Sequence, residues 1–158
     1  MSIVHETITL ERHYDATPER IFRAFSDPEA KARWFPAARD GWTVQAGEFD
    51  FREGGLETSA AGPPGGELYH NTTRYLDIVP NERIIFSYEM AQGTRRISAS
   101  LQSVDLFAEN GGTRLVLTDQ GAYLDGLDTA PTRRRGIEPQ LDLLAKALQA
   151  EPLQEGTS

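Results

Sequence analysis

The chain has 158 residues, enough for one domain that buries roughly 70% of its unfolded surface and needs neither disulfides nor a structural metal to hold a core. It has no cysteine, which excludes disulfides, zinc–thiolate sites, iron–sulfur clusters and a thiol nucleophile. With 24 acidic residues against 16 basic ones its net charge is −8, which argues against nucleic acid or an anionic membrane as the main partner.

The first residues, MSIVHETITLERHYD, carry no basic segment followed by an apolar core, so no signal peptide is read, and no apolar run approaches the ~20 residues of a membrane span. The expectation is a soluble, cytoplasmic protein with a single domain over 1–150 and a frayed tail over 151–158. Residues 3–13 alternate Ile8 and Leu10 with Thr7, Thr9 and Glu11, which predicts a strand. Two helix starts follow in nearly the same spelling, Thr17-Pro18-Glu19 and Asp27-Pro28-Glu29. Each sets a capping oxygen before a proline at the first helical position and an acid near the positive helix end. In the first helix Ile21, Phe22 and Phe25 make an apolar stripe; the second ends on Trp34-Phe35, and Pro36 stops it.

From residue 42 the pattern turns to strands. Trp42 and Val44, then Phe49 and Phe51, alternate around Ala46-Gly47-Glu48, which predicts a hairpin. The glycine- and proline-rich stretch 53–66 reads as a loop, either a lid at a pocket mouth or an idle surface segment. It is no phosphate cradle, since it lacks the GxxxxGK[ST] order and does not lead into a helix. Strands are then expected over 67–79, over 83–90 with Ile84, Phe86, Tyr88 and Met90 on one face, and over 94–107 with Ile97, Ala99 and Leu101 on one side. The last is expected over 113–120 with Leu115 and Leu117 inward. Turns at 80–82, 92–93 and 109–112 join them. Ile137, Leu141, Leu144 and Leu148 form an amphipathic helical stripe, with Pro139 either kinking the helix or marking its start. Strand, two short helices, about six strands and a long helix give the α+β class: one antiparallel sheet with a face for that helix to cover.

Several segments together resemble the heat-shock-protein-ninety ATPase activator-like family, within the START-related, birch-pollen-allergen-like SRPBCC superfamily. They are Thr17-Pro18-x-x-Ile21-Phe22, Asp27-Pro28 leading to Trp34-Phe35, Tyr75-Leu76-Asp77-Ile78-Val79-Pro80-Asn81-Glu82-Arg83-Ile84, Gly112-Thr113-Arg114-Leu115, and Arg135-Gly136-Ile137 with Leu141 and Leu144. The resemblance implies a helix-grip fold, a curved antiparallel sheet wrapped around the C-terminal helix, with a cavity between helix and sheet. The family pattern usually carries Trp where this chain has Ile137, which leaves that side of the cavity roomier.

Within that frame the cavity candidates are Trp34, Phe35, Phe49, Phe51, Phe86, Tyr88, Leu101, Asp119, Ile137, Leu141 and Leu144. Trp34 and Phe35 are lid or core plug. An inward Tyr88 needs a hydrogen-bond partner, and Asp119 shares the parity of Leu115 and Leu117. His5, His13 and His70 have no ligand spacing, and the basic runs Arg95-Arg96 and Arg133-Arg134-Arg135 read by default as solvated. No metal, cofactor or catalytic constellation is read. The expected function is binding of a small hydrophobic molecule by a monomer or homodimer. The alternatives are a polyketide cyclase- or aromatase-like enzyme using Tyr88 and Asp119, and a co-chaperone-like protein with a chaperone as partner.

Overall fold

The computed structural model describes residues 2–36 and 41–150, so the expected frayed tail lies outside the described residues. The elements are β1 (Ile3–Tyr14), α1 (Pro18–Ser26), α2 (Pro28–Lys31), β2 (Thr43–Phe49), β3 (Leu56–Gly62), β4 (Tyr69–Val79), β5 (Arg83–Gln92), β6 (Arg95–Glu109), β7 (Gly112–Leu124) and α3 (Ala130–Ala150). All strands pair antiparallel in one curved, open sheet ordered β1-β7-β6-β5-β4-β3-β2, and α3 lies in its concave side. This is the helix-grip arrangement of the α+β class.

The helix pair forms for the reasons its spelling suggests. Thr17 Oγ1 accepts the Arg20 N–H at 3.2 Å, and Asp27 accepts the Ala30 N–H at 2.9 Å while its own N–H closes α1 on Arg23 O. One residue thus ends the first helix and starts the second. Trp34 Nε1 donates to Ala24 O at 2.9 Å, and its ring meets Phe25 edge-on at 4.7 Å, pinning the end of the pair back on α1. At the β6–β7 turn Asn110 and Gly111 both take positive φ between the paired Glu109 and Gly112, the two-residue geometry that suits Asn-Gly.

Helix α3 buries Ile137, Leu141, Leu144 and Leu148 as one stripe. It is tied to the first strand by the Tyr14 hydroxyl, which donates to Leu141 O at 2.9 Å, and to α1 by Arg20, which donates to Leu148 O at 2.7 Å. The helix begins at Ala130 and runs through Pro139, so the proline does not mark its start. Thr129 Oγ1 caps it by accepting the Thr132 N–H at 3.2 Å.

Three expectations are corrected. The stretch 53–66 is not all loop: β3 runs through its middle, paired on both sides, and its inward positions carry Glu57 and Ser59 instead of large apolar groups, so no hydrophobic alternation announces it. Residues 42–51 hold no hairpin: their strand residues all belong to β2, one strand with a bulge between Ala46 and Phe49. There the Glu48 N–H bonds Thr58 Oγ1 at 2.9 Å, and Gly47 lies so close that a Cβ would fall 2.1 Å from that oxygen. In β6, Met90 pairs with Ser98 but Ala91 with Arg96, which makes Ile97 an extra residue. Ile97 and Ser98 are both buried, the parity flips, and Ser100, Gln102, Val104 and Leu106 point inward while Leu101 turns outward, 38% exposed.

Candidate ligand cavity

A cavity of about 440 Å³ lies between the concave sheet face, α3 and the end of the helix pair. Its apolar wall is made by Trp34 and Phe35 at the end of the pair, Phe86, Met90, Ile97 and Leu117 on the sheet, and Ile137 and Leu141 on α3. Trp42 stacks flat on Tyr69 at 6.1 Å on another stretch of wall. The volume falls within the range that small-molecule sites occupy, and the wall is more apolar than polar.

The polar groups form two clusters. At the α3 end Arg133 donates to Tyr88 Oη at 3.0 Å, to Ser98 Oγ at 2.8 Å and to Asp128 Oδ2 at 2.5 Å, with its guanidinium 5.4 Å from the centre of the Tyr88 ring and 5.6 Å from that of Tyr123. The Tyr88 hydroxyl donates in turn to Asp119, whose Oδ2 also accepts Gln102 Nε2 at 2.8 Å. Asp119 is fully buried, and its Oδ1 has no partner among the described residues. Desolvation disfavours the Arg133 charge, but Tyr88 and Asp128 outweigh it and hold the guanidinium above its usual value. Burial pushes the Tyr88 phenol up despite the neighbouring Arg133.

At the other end Lys31 Nζ lies 2.6 Å from Glu57 Oε1 and 3.2 Å from Tyr75 Oη, and the Tyr75 hydroxyl donates to the same Glu57 oxygen at 2.5 Å. Rings surround the amine, Phe35 at 4.7 Å and Phe49 at 5.3 Å from their centres. Desolvation pulls the Lys31 ammonium below its usual value against the opposing effect of Glu57, and burial together with Glu57 drives the Tyr75 phenol up. The two clusters share one row of the sheet, in which Glu57 pairs with Thr73, Thr73 with Tyr88 and Tyr88 with Ser100. With strands ~4.8 Å apart, Glu57 and Tyr88 stand about 10 Å from each other across the concave face.

Of the residues read from the sequence, Trp34, Phe35, Phe86, Tyr88, Ile137 and Leu141 lie on the cavity wall. Asp119 lies behind it, reached through Tyr88 and Gln102. Phe49 and Phe51 pack outside the wall in a ring cluster, with Phe51 4.9 Å from Tyr75 and 5.7 Å from Phe22. Leu144 is fully buried in the core beneath the cavity, and Leu101 belongs to the outer sheet face. His5 and His70 are exposed, as are Arg95, Arg96, Arg134 and Arg135.

The sequence reading missed Lys31, Glu57, Tyr75, Gln102, Asp128 and Arg133. For Arg133 a signal existed: counting back four residues from Ile137 extends the buried stripe of α3 to Arg133, which makes it the inward member of a run read as solvated. Lys31 likewise stands four residues before Phe35, and its carbonyl accepts the Phe35 N–H at 2.9 Å. Glu57 had none, being hidden in the stretch read as loop.

The family described as activator of Hsp90 ATPase homolog 1-like protein matches residues 15–149. Among solved structures, a Rhizobium leguminosarum protein is 42% identical, with 95% of this chain and 98% of that one covered and a TM-score of 0.86. A Rhizobium loti protein is also 42% identical, with 93% and 99% covered and a TM-score of 0.84. A Chromobacterium violaceum protein is 26% identical, with 92% and 98% covered and a TM-score of 0.79. A search of curated proteins gave no match. Among the described residues no helix is long and apolar enough to cross a membrane.

Proposed function

This chain belongs to the activator of Hsp90 ATPase homolog 1-like family, and from that premise we propose that it binds a small, mostly apolar molecule in the cavity between α3 and the sheet. The observation that carries the reading is the cavity itself: about 440 Å³, walled by Trp34, Phe35, Phe86, Ile137 and Leu141, with a charged cluster around Lys31 and Glu57 and another around Arg133 and Asp128. A purely structural core of this composition would close on itself, since interiors pack to near-crystalline density. The proposed ligand is apolar along its length and carries hydrogen-bonding groups toward Tyr88 or Lys31.

The enzyme reading draws less support, because the Tyr88 hydroxyl is already engaged by both Asp119 and Arg133 and its phenol is held protonated. The chaperone reading rests on the family's name alone.

Thermal shift against a panel of lipophilic molecules tests the proposal. A ligand at 100 times its Kd adds ~2.7 kcal/mol to stability, which for a chain of this size raises Tm by roughly 5–10 °C. Ile137→Trp, which fills the wall from α3, is expected to abolish that shift while leaving the fold intact. A panel that never moves Tm, or a shift that survives Ile137→Trp, overturns the reading.

A further inference from the structure

The sequence holds two lysines, Lys31 and Lys146. Lys146 stands exposed on α3, whereas the Lys31 side chain is 12% exposed and forms part of the cavity wall beside Glu57. A cation needed only to neutralise Glu57 is as well supplied by arginine, which is always charged and is the cation used at the opposite end of the cavity. A lysine differs in one respect that matters here: its amine can lose a proton and attack.

The surroundings contain what amine–carbonyl condensation requires. Glu57 Oε1, 2.6 Å from Nζ, is placed to accept the ammonium proton, and Tyr75 positions that carboxylate by donating to the same oxygen at 2.5 Å. The mostly apolar wall in front of the amine, with Phe35 and Trp34 beside it, disfavours the water that would hydrolyse the product. We propose that the cavity takes an apolar aldehyde or ketone and holds it covalently as an imine on Lys31 Nζ. This rests on reading the cavity as a small-molecule site.

The step balances without any further reactant. The Lys31 ammonium gives one proton to Glu57, and the free amine attacks the carbonyl carbon, forming the C–N bond as the C=O pair moves to oxygen. A second proton passes from nitrogen to that oxygen. Glu57 then returns its proton to the hydroxyl, which leaves as water while the nitrogen lone pair closes the C=N bond. The product is a protonated imine beside an ionised Glu57, so the ion pair present at the start is restored at the end. The downward pull of desolvation on the Lys31 ammonium favours the first step.

The test incubates the full chain with 2-naphthaldehyde and cyanoborohydride, in parallel with 2-naphthalenemethanol, which has the same ring system but cannot form an imine. Adducts are located by peptide mass mapping, and Tm is measured with each probe. The expected result is one reduced adduct on Lys31, formed ahead of Lys146 and the α-amine, blocked by excess alcohol in the wild type and lost in Lys31→Arg. The alcohol competition holds even where that variant folds poorly. If both probes raise Tm but Lys31 stays unmodified, or if Lys146 and the α-amine label first, the covalent inference is overturned and the cavity reading stands. If neither probe raises Tm and no adduct forms on Lys31, the covalent inference falls and binding of aromatic ligands of this size falls with it.

Discussion

The two ends of the cavity each place a cation on a helix against the concave sheet, and they stabilise it in opposite ways. Arg133 sits on a helix of 21 residues and spends its donors on Tyr88, Ser98 and Asp128, a set that leaves the guanidinium fixed and permanently charged. Lys31 closes a helix of four residues, has one carboxylate and one phenol within reach, and is otherwise packed among rings. At the first end the cation is tied by hydrogen bonds to three different side chains, and at the second it is held by one ion pair and one phenol in apolar surroundings. The difference teaches where adaptability resides: a cation tied to several partners resists rearrangement, while a lysine–carboxylate pair lets its proton move.

The largest expected effect breaks the arginine end. Arg133→Met leaves Asp128 and Asp119 buried without their cation, and urea unfolding is expected to show a loss of about 3–5 kcal/mol. Lys31→Met alone strands Glu57 and is expected to cost about 3 kcal/mol, but adding Glu57→Gln removes the stranded charge and should return stability to within about 1 kcal/mol of wild type. No single neutralisation is expected to rescue Arg133→Met in that way, because two carboxylates and several hydroxyls face that site. A double variant as unstable as the single one would erase the distinction between the ends.

Alkaline pH separates them further. Burial raises the phenols of Tyr14, Tyr75 and Tyr88, and pushes Tyr123 up to about 12, from an ordinary value of 10.0. Their contribution is fully present below pH 10.0 and is lost as pH rises toward their folded values, because the unfolded chain releases protons that the folded one retains. Lys31 acts in the opposite sense: its lowered value makes folding gain as pH rises from there to the ordinary 10.5. Net stability should therefore fall above about pH 10, more steeply in Lys31→Met, as read by urea midpoints alongside phenolate absorbance. The smallest effect lies outside the cavity: Leu101→Ser should change stability by less than about 0.5 kcal/mol, because the bulge at Ile97 turns that side chain to the outer face.

The order of elements was legible because caps, turns and the α3 stripe are local signals. What escaped notice depends on pairing. The bulge at Ile97 is a mismatch between two strands, invisible along one of them, and it reassigned Leu101 from wall to surface. Strand β3 is held by its neighbours on both sides, so its small and polar residues need carry no strand signature of their own. The chemistry was least legible, since a charged residue inside a cavity reads in the sequence as a charged residue on the surface. Only helical spacing, from Ile137 back to Arg133 and from Phe35 back to Lys31, could have argued otherwise.

The pairing of β1 has a consequence in time. β1 is an edge strand and pairs with β7, from Ile3 opposite Leu124 to Tyr14 opposite Thr113. On a ribosome adding ~5–20 residues per second, roughly 5–20 s pass between the emergence of the first strand and that of its partner. The hairpins from β2 to β7 can zip as they appear, but β1 waits with Ile8 and Leu10 uncovered until almost the whole sheet has been made. The docking of α3 can only follow, because the helix is made after β7.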